Sequence, residues 1–422
     1  MNLKSNKAIT LVALIITIII LLILAGVSLS MILGENGLIN KAQSSVNAYQ
    51  QAALNEQNLL QSIEDYMGNY GLPDNTPTTP AGTHVKPPAK WLGTIVDAVA
   101  DGKGDTFPVP KSFYYVGGDY SNGVIISDDP ADAYDGTTDK TTWEYTTSLV
   151  GNQFVWIPCT ENEYHKTDWG SGNVYGTTYD HDSAYQGEIV QIAKYDGFYV
   201  GRYEAGLDYR ITEFVDNQNN ASKIYNKDGI PNVKAGKVPW NFIDYNNSKK
   251  NAEKMYKNND YVISGLTTGT QWDVMLNRII GTINENKMVI TKNDILNSTN
   301  WGNYENSSIK YTGRKSNIFL SSGTWYMTSF GNYEIDGKTT LNARNELTTG
   351  ASKVTEAYHI YDIAGNVWEW TEETGEATGY HVMRGGSCIN TPSEGSACHR
   401  HVKFAETNTD YALGFRVVLY IK

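Results

Sequence analysis

The sequence predicts an α+β protein in which one large, strand-rich domain follows an N-terminal transmembrane helix. Three observations predict it: an uncharged apolar run near the start, short apolar runs between Gly/Asn/Asp turns in the remainder, and two segments with helical spacing. The chain has 422 residues, of which 40% are hydrophobic and 12% aromatic, enough for a sizeable core. A formal net charge of −12, without a long basic run, argues against nucleic-acid binding.

The first element is a membrane anchor. No charged residue occurs from Ala8 to Gly34. A helix of about 26 residues spans about 39 Å, against a hydrocarbon core of about 30 Å. Lys4 and Lys7 precede the run, so the positive-inside tendency keeps the N-terminus cytoplasmic. We therefore expect a single-pass membrane protein whose C-terminal domain lies outside the cytoplasm.

The same segment resembles the type IV prepilin leader. A basic leader, residues 1–8, ends in Ala8 and is followed by an apolar stretch that begins ITLV. The resemblance implies cleavage between Ala8 and Ile9 by a prepilin peptidase, a prokaryotic membrane or pilus location, and contacts with pilin subunits. The family usually has glycine where Ala8 stands and glutamate where Ala13 stands. A plain anchor that is never assembled is the alternative.

Composition divides the rest of the chain. Apolar residues at helical spacing predict that residues 9–70 form one transmembrane and stalk helix. Residues 72–90 hold five of the twelve prolines, and they predict a Pro/Thr-rich linker over 71–104. A single C-terminal domain then covers residues 105–422.

Within this domain, strands are predicted where apolar or aromatic residues cluster between turns, and helices where they recur every three to four positions. The predicted strands are 113–118, 152–158, 197–206 and 413–421. The predicted helices are 248–259 and 268–280, the second capped by Thr268 or Thr270.

Five segments occur in a fixed order in the C-terminal domain: GFYVGRYEAG (197–206), ISGLTTGTQWDVML (263–276), YHIYDIAGNVWEWTEE (358–373), VMRGGS (382–387) and GFRVVL (414–419). Together they resemble the formylglycine-generating enzyme family, also called the sulfatase-modifying-factor domain. The second segment departs from the family, because its arginine, proline and glutamates are altered. The resemblance covers residues 105–422 and implies an elaborated C-type-lectin-like fold.

The resemblance also implies a structural calcium in the segment DIAGNVWEWTEE. The four positions are Asp362, Gly365, Val367 and Glu369, which offer two carboxylates and two backbone carbonyls, the oxygen ligands that calcium prefers. In the alternative, the two tryptophans pack a core and the carboxylates are solvated or accept backbone N–H groups. A second calcium of the family has no clear ligands in residues 298–308.

Catalytic members of the family bind copper(I) through two cysteines a few residues apart, after the Gly-Gly-Ser element. Here Cys388 follows Ser387 directly and Cys398 lies ten residues further on, so neither falls at the family's spacing. If the protein is an enzyme, these two thiols would be the copper ligands. The alternatives are a disulfide between them, small surface side chains, or a zinc site with the stretch CHRH at 398–401.

The loop at 388–413 predicts a ligand-binding surface instead. It is irregular, lies between two family-like elements, and holds two of the three cysteines and two of the seven histidines. A regular frame around such an insert resembles the variable proteins of diversity-generating retroelements. The partner would be a surface protein or a glycan. The candidate contact residues are Cys388, Asn390, Ser393, Glu394, His399, His401, Lys403, Phe404, Asn408 and Tyr411.

Three functions follow from these patterns. The first is a surface-displayed, adhesin-like protein without catalytic activity that binds a ligand through its C-terminal loops. The second is a membrane-tethered oxidase that converts cysteine to formylglycine on client sulfatases. The third is a minor pilin whose C-terminal domain serves assembly alone. The cysteine spacing favours the first.

Overall fold

The computed structural model describes residues 79–170, 183–208, 228–305, 319–321, 325–327, 346–375, 378–402 and 404–422. The chain divides into two compact units, Met1–Thr76 and Pro77–Lys422, and the described residues belong to the second, which is referred to below as the head. The predicted leader, the Ala8–Ile9 cleavage site and the helix over 9–70 lie outside the described residues. Among the helices that are described, none is long and apolar enough to span a bilayer.

The head is rich in short strands. In chain order they are β1 (His84–Val85), β2 (Val96–Ala100), β3 (Thr106–Pro110), β4 (Tyr114–Gly117), β5 (Val124–Ser127), β6 (Gln153–Pro158), β7 (Gly197–Gly201), β8 (Gly206–Leu207), β9 (Val238–Pro239), β10 (Val262–Leu266), β11 (Phe319–Ser321), β12 (Trp325–Met327), β13 (Glu356–Ala357), β14 (Ile360–Tyr361), β15 (Trp368–Thr374), β16 (His381–Arg384), β17 (Leu413–Phe415) and β18 (Val417–Ile421). The helices are α1 (Ser183–Tyr195), α2 (Tyr245–Lys254), α3 (Gly269–Ile279), α4 (Lys292–Leu296) and α5 (Pro392–Gly395). This is the mixed, sheet-rich architecture that the sequence predicts.

The main sheet has six antiparallel strands in the order β10-β18-β7-β6-β5-β4. Every residue of β6 is buried, so this strand is covered on both faces. Because successive side chains of a strand point to opposite faces, Phe154 and Trp156 join one hydrophobic cluster while Val155 and Ile157 join the other. The sheet therefore separates the two halves of the core.

The predicted linker over 71–104 is wrong from His84 onward. Strands β1, β2 and β3 form an antiparallel sheet, and Trp91, Val96 and Val99 are buried in the core. The proline-rich composition ends at Lys90, whereas the apolar stretch that follows it, WLGTIVDAVA, ends in Val96–Ala100, which pairs with β3 and is buried except for Asp97. The folded head therefore begins before residue 105.

A smaller sheet, β16-β15-β17, carries the family-like segments. Strand β15 pairs antiparallel with β16 and parallel with β17, so Glu369 lies opposite Arg384 on one side and Gly414 on the other. The loop that joins β16 to β17 thus has both ends fixed to the same central strand. This loop contains the residues predicted to bind a ligand.

Candidate functional site

The turn before β15 is held by one fully bonded side chain, that of Asn366. Its Nδ2 donates to Glu204 Oε2 (2.7 Å) and to the carbonyl of Leu347 (3.3 Å), and its Oδ1 accepts from Asn303 Nδ2 (3.0 Å) and the Leu347 N–H (2.8 Å). An amide side chain has two donors and two acceptor sites, so its capacity is used. Gly365 has φ +78°, and a Cβ there would lie 2.1 Å from the carbonyl oxygen of Asn303. Both residues fix the backbone of the turn.

Three buried carboxylates surround one guanidinium beside this turn. Glu204, Asp362 and Glu369 are each at most 1% exposed. Arg416 donates to both Glu369 oxygens, at 2.9 and 2.6 Å. Burial and the neighbouring carboxylates raise the pKa of Glu204 well above its usual range. Burial also raises the pKa of Asp362 and, although Arg416 opposes it, the pKa of Glu369 to about 7.

The surroundings of the four calcium positions favour a cation by charge, because Glu204 joins Asp362 and Glu369 beside a single guanidinium, that of Arg416. The two carboxylates among these positions already have hydrogen-bond partners. Asp362 accepts from the Gly350 N–H (2.7 Å) and from Thr355 Oγ1 (2.7 Å), and Glu369 is paired with Arg416. Among the described residues, no three His, Cys, Asp or Glu side chains are grouped so as to hold a metal ion. Calcium at Asp362, Gly365, Val367 and Glu369 therefore stays a prediction.

A buried ionic network underlies the loop between β16 and β17. Arg384 donates to Asp273 (2.6 Å), Arg400 donates to Asp273 and to Glu373 (3.1 Å), and Lys166 pairs with Glu373 (2.9 Å). Burial alone would raise the pKa of Asp273, but Arg384 and Arg400 hold it below its usual value. Arg384 belongs to β16 and Arg400 to the loop, so the network ties the loop to the frame.

Two glycines start the loop. Gly385 and Gly386 have φ +88° and +77°, a region that suits glycine. A Cβ on Gly386 would lie 1.7 Å from the carbonyl oxygen of Gly395, so the loop crosses itself here without room for a side chain. Further along, Met383 and His401 exchange two backbone hydrogen bonds (2.8 and 2.9 Å), which return the loop to β16.

The predicted ligand-binding residues divide by exposure. Ser393, Glu394 and Asn408 are exposed, whereas Cys388 and His399 are buried and offer a ligand almost no surface. Four more side chains are partly exposed: Asn390, His401, Phe404 and Tyr411. Lys403 lies outside the described residues. The structure thus places seven of the ten candidates within reach of solvent.

Three rings near the loop form a continuous surface, referred to below as the aromatic shelf: Trp368, His401 and Phe404. The His401 ring stacks on Trp368 with centroids 5.0 Å apart and planes at 25°, and Phe404 meets His401 edge-on at 6.1 Å. Trp368 Nε1 donates to Asn390 Oδ1 (2.9 Å), which fixes the indole at the base. Trp368 is only 6% exposed, so the other two rings supply the accessible area.

The cysteines are poorly placed for copper chemistry. Cys159, Cys388 and Cys398 are free and buried, so the structure contains no Cys388–Cys398 disulfide. Burial raises the pKa of Cys398, and it raises that of Cys388 well above its usual range. The thiolate, not the thiol, is the metal ligand. Burial therefore disfavours the thiolate form of both residues.

Sequence reasoning missed the polar groups inside the frame. Glu204 ends the segment GFYVGRYE, where an acid after a buried aromatic strand was a usable signal. Asp273 lies in the first turns of α3, between Trp272 and Val274, so an acid within an apolar helix face was visible. Glu346 is buried and bonded by Asn241 Nδ2 (2.8 Å), and no sequence pattern indicates it.

Comparison with known proteins places a family domain at the C-terminal end of the head. Residues 300–421 match the model of the sulfatase-modifying factor enzyme 1-like domain family. A stretch of 45 residues is 51% identical to a Mus musculus protein named "Inactive C-alpha-formylglycine-generating enzyme 2" and covers 10% of this chain but 14% of that protein. The resemblance predicted over 105–422 is thus confirmed for residues 300–421.

Three solved structures are similar at low identity. Treponema denticola variable protein 1 is 13% identical with a TM-score of 0.31, over 65% of this chain and 97% of that one. CarF is 14% identical with a TM-score of 0.29, over 60% and 96%. PvdO from Pseudomonas aeruginosa is 14% identical with a TM-score of 0.27, over 64% and 95%.

Proposed function

We propose that this protein displays a ligand-binding head without catalytic activity on the outside of a prokaryotic cell, and that the 388–413 loop is its binding surface. The observation that carries the proposal is the aromatic shelf with its polar neighbours, held on a loop that is fixed at both ends and in the middle. Partly exposed aromatic rings supply contact area, and adjacent polar groups supply specificity. A surface protein or a glycan is the expected ligand.

Hydrogen bonds attach the loop to the frame. Trp272 Nε1 donates to the Ala397 carbonyl (2.9 Å), the Ala397 N–H donates to Ser298 Oγ (3.0 Å), and the Phe242 N–H donates to the Asp410 carbonyl (2.9 Å). These three bonds attach the loop to the frame at two places, Ala397 and Asp410. Binding then costs little ordering entropy, which favours affinity.

The membrane anchor and the prepilin-like processing stay part of the proposal. Residues 8–34 support them by their lack of charge, and Lys4 and Lys7 support the orientation. Protease added to cells without a wall should digest the head, and a processed protein should begin at Ile9. A head that resists the added protease would contradict the proposal that the loop is displayed outside the cell.

If the loop is diversified, only part of it can vary. The interior side chains from Ala397 to Arg400 are buried, and Arg400 belongs to the ionic network. Diversity should therefore concentrate at exposed or partly exposed positions, including Ser393, Glu394 and Asn408. Sister sequences that vary equally at buried and exposed positions would contradict this.

The binding test compares two double variants of the full-length protein on a printed array of cell-surface glycans and proteins. His401→Ala with Tyr411→Ala removes ring surface from the loop. Tyr114→Ala with Tyr145→Ala removes similar rings, 37% and 43% exposed, from elsewhere on the head. We expect the loop variant to lose at least about tenfold in affinity, about 1.4 kcal/mol, for the array ligands that the native protein binds, and the control to lose none. Equal losses, or no array ligand at all, would contradict the proposal.

The oxidase is the alternative, and it has its own test. The Mus musculus relative, matched over 45 residues, carries the word inactive in its name, so a likeness to this family does not by itself imply activity. A copper-loaded full-length protein should produce no formylglycine on a Cys-x-Pro-x-Arg peptide by mass spectrometry. Turnover that is lost in Cys388→Ser or Cys398→Ser would replace the binding proposal with the enzyme.

A further inference from the structure

A second concave site lies between two helices, on one face of the main sheet. It is a cavity of about 590 Å³, referred to below as the helix groove. Its volume lies in the range of small-molecule sites, roughly 300–1,000 Å³. Among its lining residues in the described part of the chain, none belongs to 385–413. The lining comes from α1 (188–194), α2 and the turn after it (249–257), β10 (263–265), Glu372, and the end of β18 with the residue that follows (420–422).

The walls of the helix groove are apolar and open to solvent. Val190 on α1 is 66% exposed and Ile263 on β10 is 45% exposed, although most large hydrophobic side chains of the described head are buried. Ile263 lies opposite Tyr420 in the strand pairing, so both side chains stand on the same face of the sheet. Exposed apolar surface on a concave wall is stabilised when a ligand covers it, because that surface leaves water. The walls therefore favour an apolar group.

The floor of the helix groove lacks a side chain at Gly265. This glycine follows Ile263 by two positions in β10, so a side chain there would point to the same face of the sheet. A Cβ on Gly265 would lie 3.3 Å from the Tyr420 ring and 3.9 Å from Val418 Cγ2. The glycine thus leaves room for part of a ligand against the strand.

The three carboxylates that line the helix groove are already engaged. Glu253 and Glu372 both pair with Lys249, at 3.3 and 2.6 Å. Glu188 is 4% exposed and accepts a hydrogen bond from the Tyr164 hydroxyl. All three acids therefore have partners within the head.

Three of the four lysines in the lining lack such a partner. In the part of the chain that the structure describes, Lys194, Lys257 and Lys422 have no carboxylate at ion-pair distance. Lys194 Nζ lies 4.8 Å from the centroid of the Tyr195 ring, and Lys422 Nζ donates to the carbonyl of Asn259. Neither contact neutralises the ammonium. Because unpaired charges of one sign around a concave surface attract the opposite charge, the edge of the groove favours an anion.

We propose that the helix groove binds a free fatty acid, with its alkyl chain between Val190 and Ile263 and its carboxylate at the edge that carries the unpaired lysines. A sugar would place hydroxyl groups against the apolar walls, and an organic cation would meet the lysines. An alkyl chain with one anionic end suits both the walls and the edge. A free acid is preferred over a second copy of the chain because the volume is that of a small-molecule site. The site is independent of the 388–413 loop and of the function proposed for it.

Calorimetry on the full-length protein in phosphatidylcholine nanodiscs, with empty nanodiscs as the blank, tests the chain and the charge separately. The probes are octanoate, butanoate, which shortens the chain, and octylammonium, which reverses the charge. Each methylene that leaves water adds up to about fourfold in affinity, so octanoate should bind at least about tenfold more tightly than butanoate. It should also bind at least about tenfold more tightly than octylammonium. Equal binding of octanoate and octylammonium, or no octanoate binding at about 10 mM, would overturn the proposal.

Four single variants locate the site, and each changes an exposed side chain, so all should fold. Lys257→Gln removes a charge from the edge of the groove, and Lys250→Gln removes the same charge outside the lining. Ile263→Gln removes an apolar wall, and Ile230→Gln makes the same change elsewhere on the head. Lys257→Gln should weaken octanoate binding at least about threefold and Ile263→Gln at least about fivefold, and each control should have no effect. Equal losses in a variant and its control would show non-specific binding and would overturn the assignment.

Photo-crosslinking with an octanoate that carries a diazirine gives an independent readout. Peptide mapping by mass spectrometry should find the label in α1, β10, β18 or the end of α2, and an excess of octanoate should suppress it. Labels confined to the 388–413 loop would overturn the proposal. A concentration-dependent dimer that Ile263→Gln disrupts, without octanoate binding, would assign the groove to a second copy of the chain instead.

Discussion

At the scale of single residues, buried carboxylates control both the frame and its response to pH. Glu356 accepts from the Glu285 N–H (2.7 Å) and the His359 N–H (2.5 Å), and the His359 ring lies beside it, with Nδ1 3.9 Å from Oε1. Burial raises its pKa to about 7. The folded head therefore holds this proton more strongly than the unfolded chain, whose glutamates titrate near 4.3.

This difference predicts a pH dependence of stability. The contribution of Glu356 is fully present below pH of about 4.5 and is lost as pH rises through about 7, because the native state binds more protons over that range. In urea titrations between pH 5 and 8, Glu356→Gln should therefore flatten the decline in unfolding free energy by about 1–3 kcal/mol.

Two buried histidines change the stability with pH in the opposite direction to Glu356, and they provide the control. Burial lowers the pKa of His359 and His381 to about 4, so their contribution is lost as pH falls from about 6.5 through 4. His381→Phe preserves the ring on Tyr245, 3.4 Å away between centroids, and should flatten the acid limb only. A Glu356→Gln slope identical to that of the native head would contradict the assignment.

The predicted calcium site is also tested at the scale of single residues. If the ion binds the folded head alone, free calcium at 100 times its dissociation constant adds about 2.7 kcal/mol of stability. Adding calcium should then raise the melting temperature of the head, a chelator should reverse the rise, and Asp362→Ala with Glu369→Ala should abolish the response. An unchanged melting curve would mean that Arg416 alone balances these carboxylates.

At the scale of elements, the pattern of apolar residues predicted several of the strands and one helix correctly. The strands β4, β6, β7 and β18 lie inside predicted segments, because each is a run of apolar or aromatic residues. Helix α3 begins after Thr268, whose hydroxyl accepts from the Gln271 N–H while Gln271 returns the bond. Helix α1 was missed, since its sequence, SAYQGEIVQIAKY, interrupts any apolar stripe with polar residues.

The candidate site was predictable in part. The frame segments and the loop follow from motif order, and seven of the ten proposed contact residues reach solvent. The burial of Cys388 and His399 was not predictable, because it depends on Asn366, whose carbonyl accepts from the Cys388 N–H (2.9 Å), and on the ionic network below the loop. Such contacts join residues far apart in sequence, which periodicity does not report.

The loop crossing predicts a severe effect for one glycine. Gly386→Ala places a Cβ 1.7 Å from a backbone oxygen at φ +77°, so the backbone must move. We expect a loss of at least about 3 kcal/mol of unfolding free energy. Gly281→Ala is the control, with φ +89° but no atom within 4 Å, and should cost about 1–2 kcal/mol. Equal costs in urea titrations would show that conformation alone, and not the crossing, matters.

At the scale of the whole molecule, the head boundary is testable by truncation. Residues 77–422 include β1 and β2 and the buried side chain of Trp91, which residues 105–422 lack. Deleting them exposes the β2-facing edge of β3 and removes part of the core. The longer fragment should unfold in one cooperative transition by calorimetry, and the shorter one should melt at least about 10 °C lower or fail to fold. Equal melting temperatures of the two fragments would support the original prediction that residues 71–104 are a linker.

The position of β18 has a consequence for biosynthesis. This strand is made after every other strand described, yet it lies inside the main sheet between β10 and β7. A nascent chain therefore cannot close its central sheet until the loop before β18 has been translated in frame. A stop codon or frameshift within 388–413 removes β18. The product is then left with unpaired edges on β10 and β7, and quality-control proteases degrade such incompletely folded chains. If the sequence of the loop is diversified between generations, every variant that has lost the reading frame lacks β18 and does not fold.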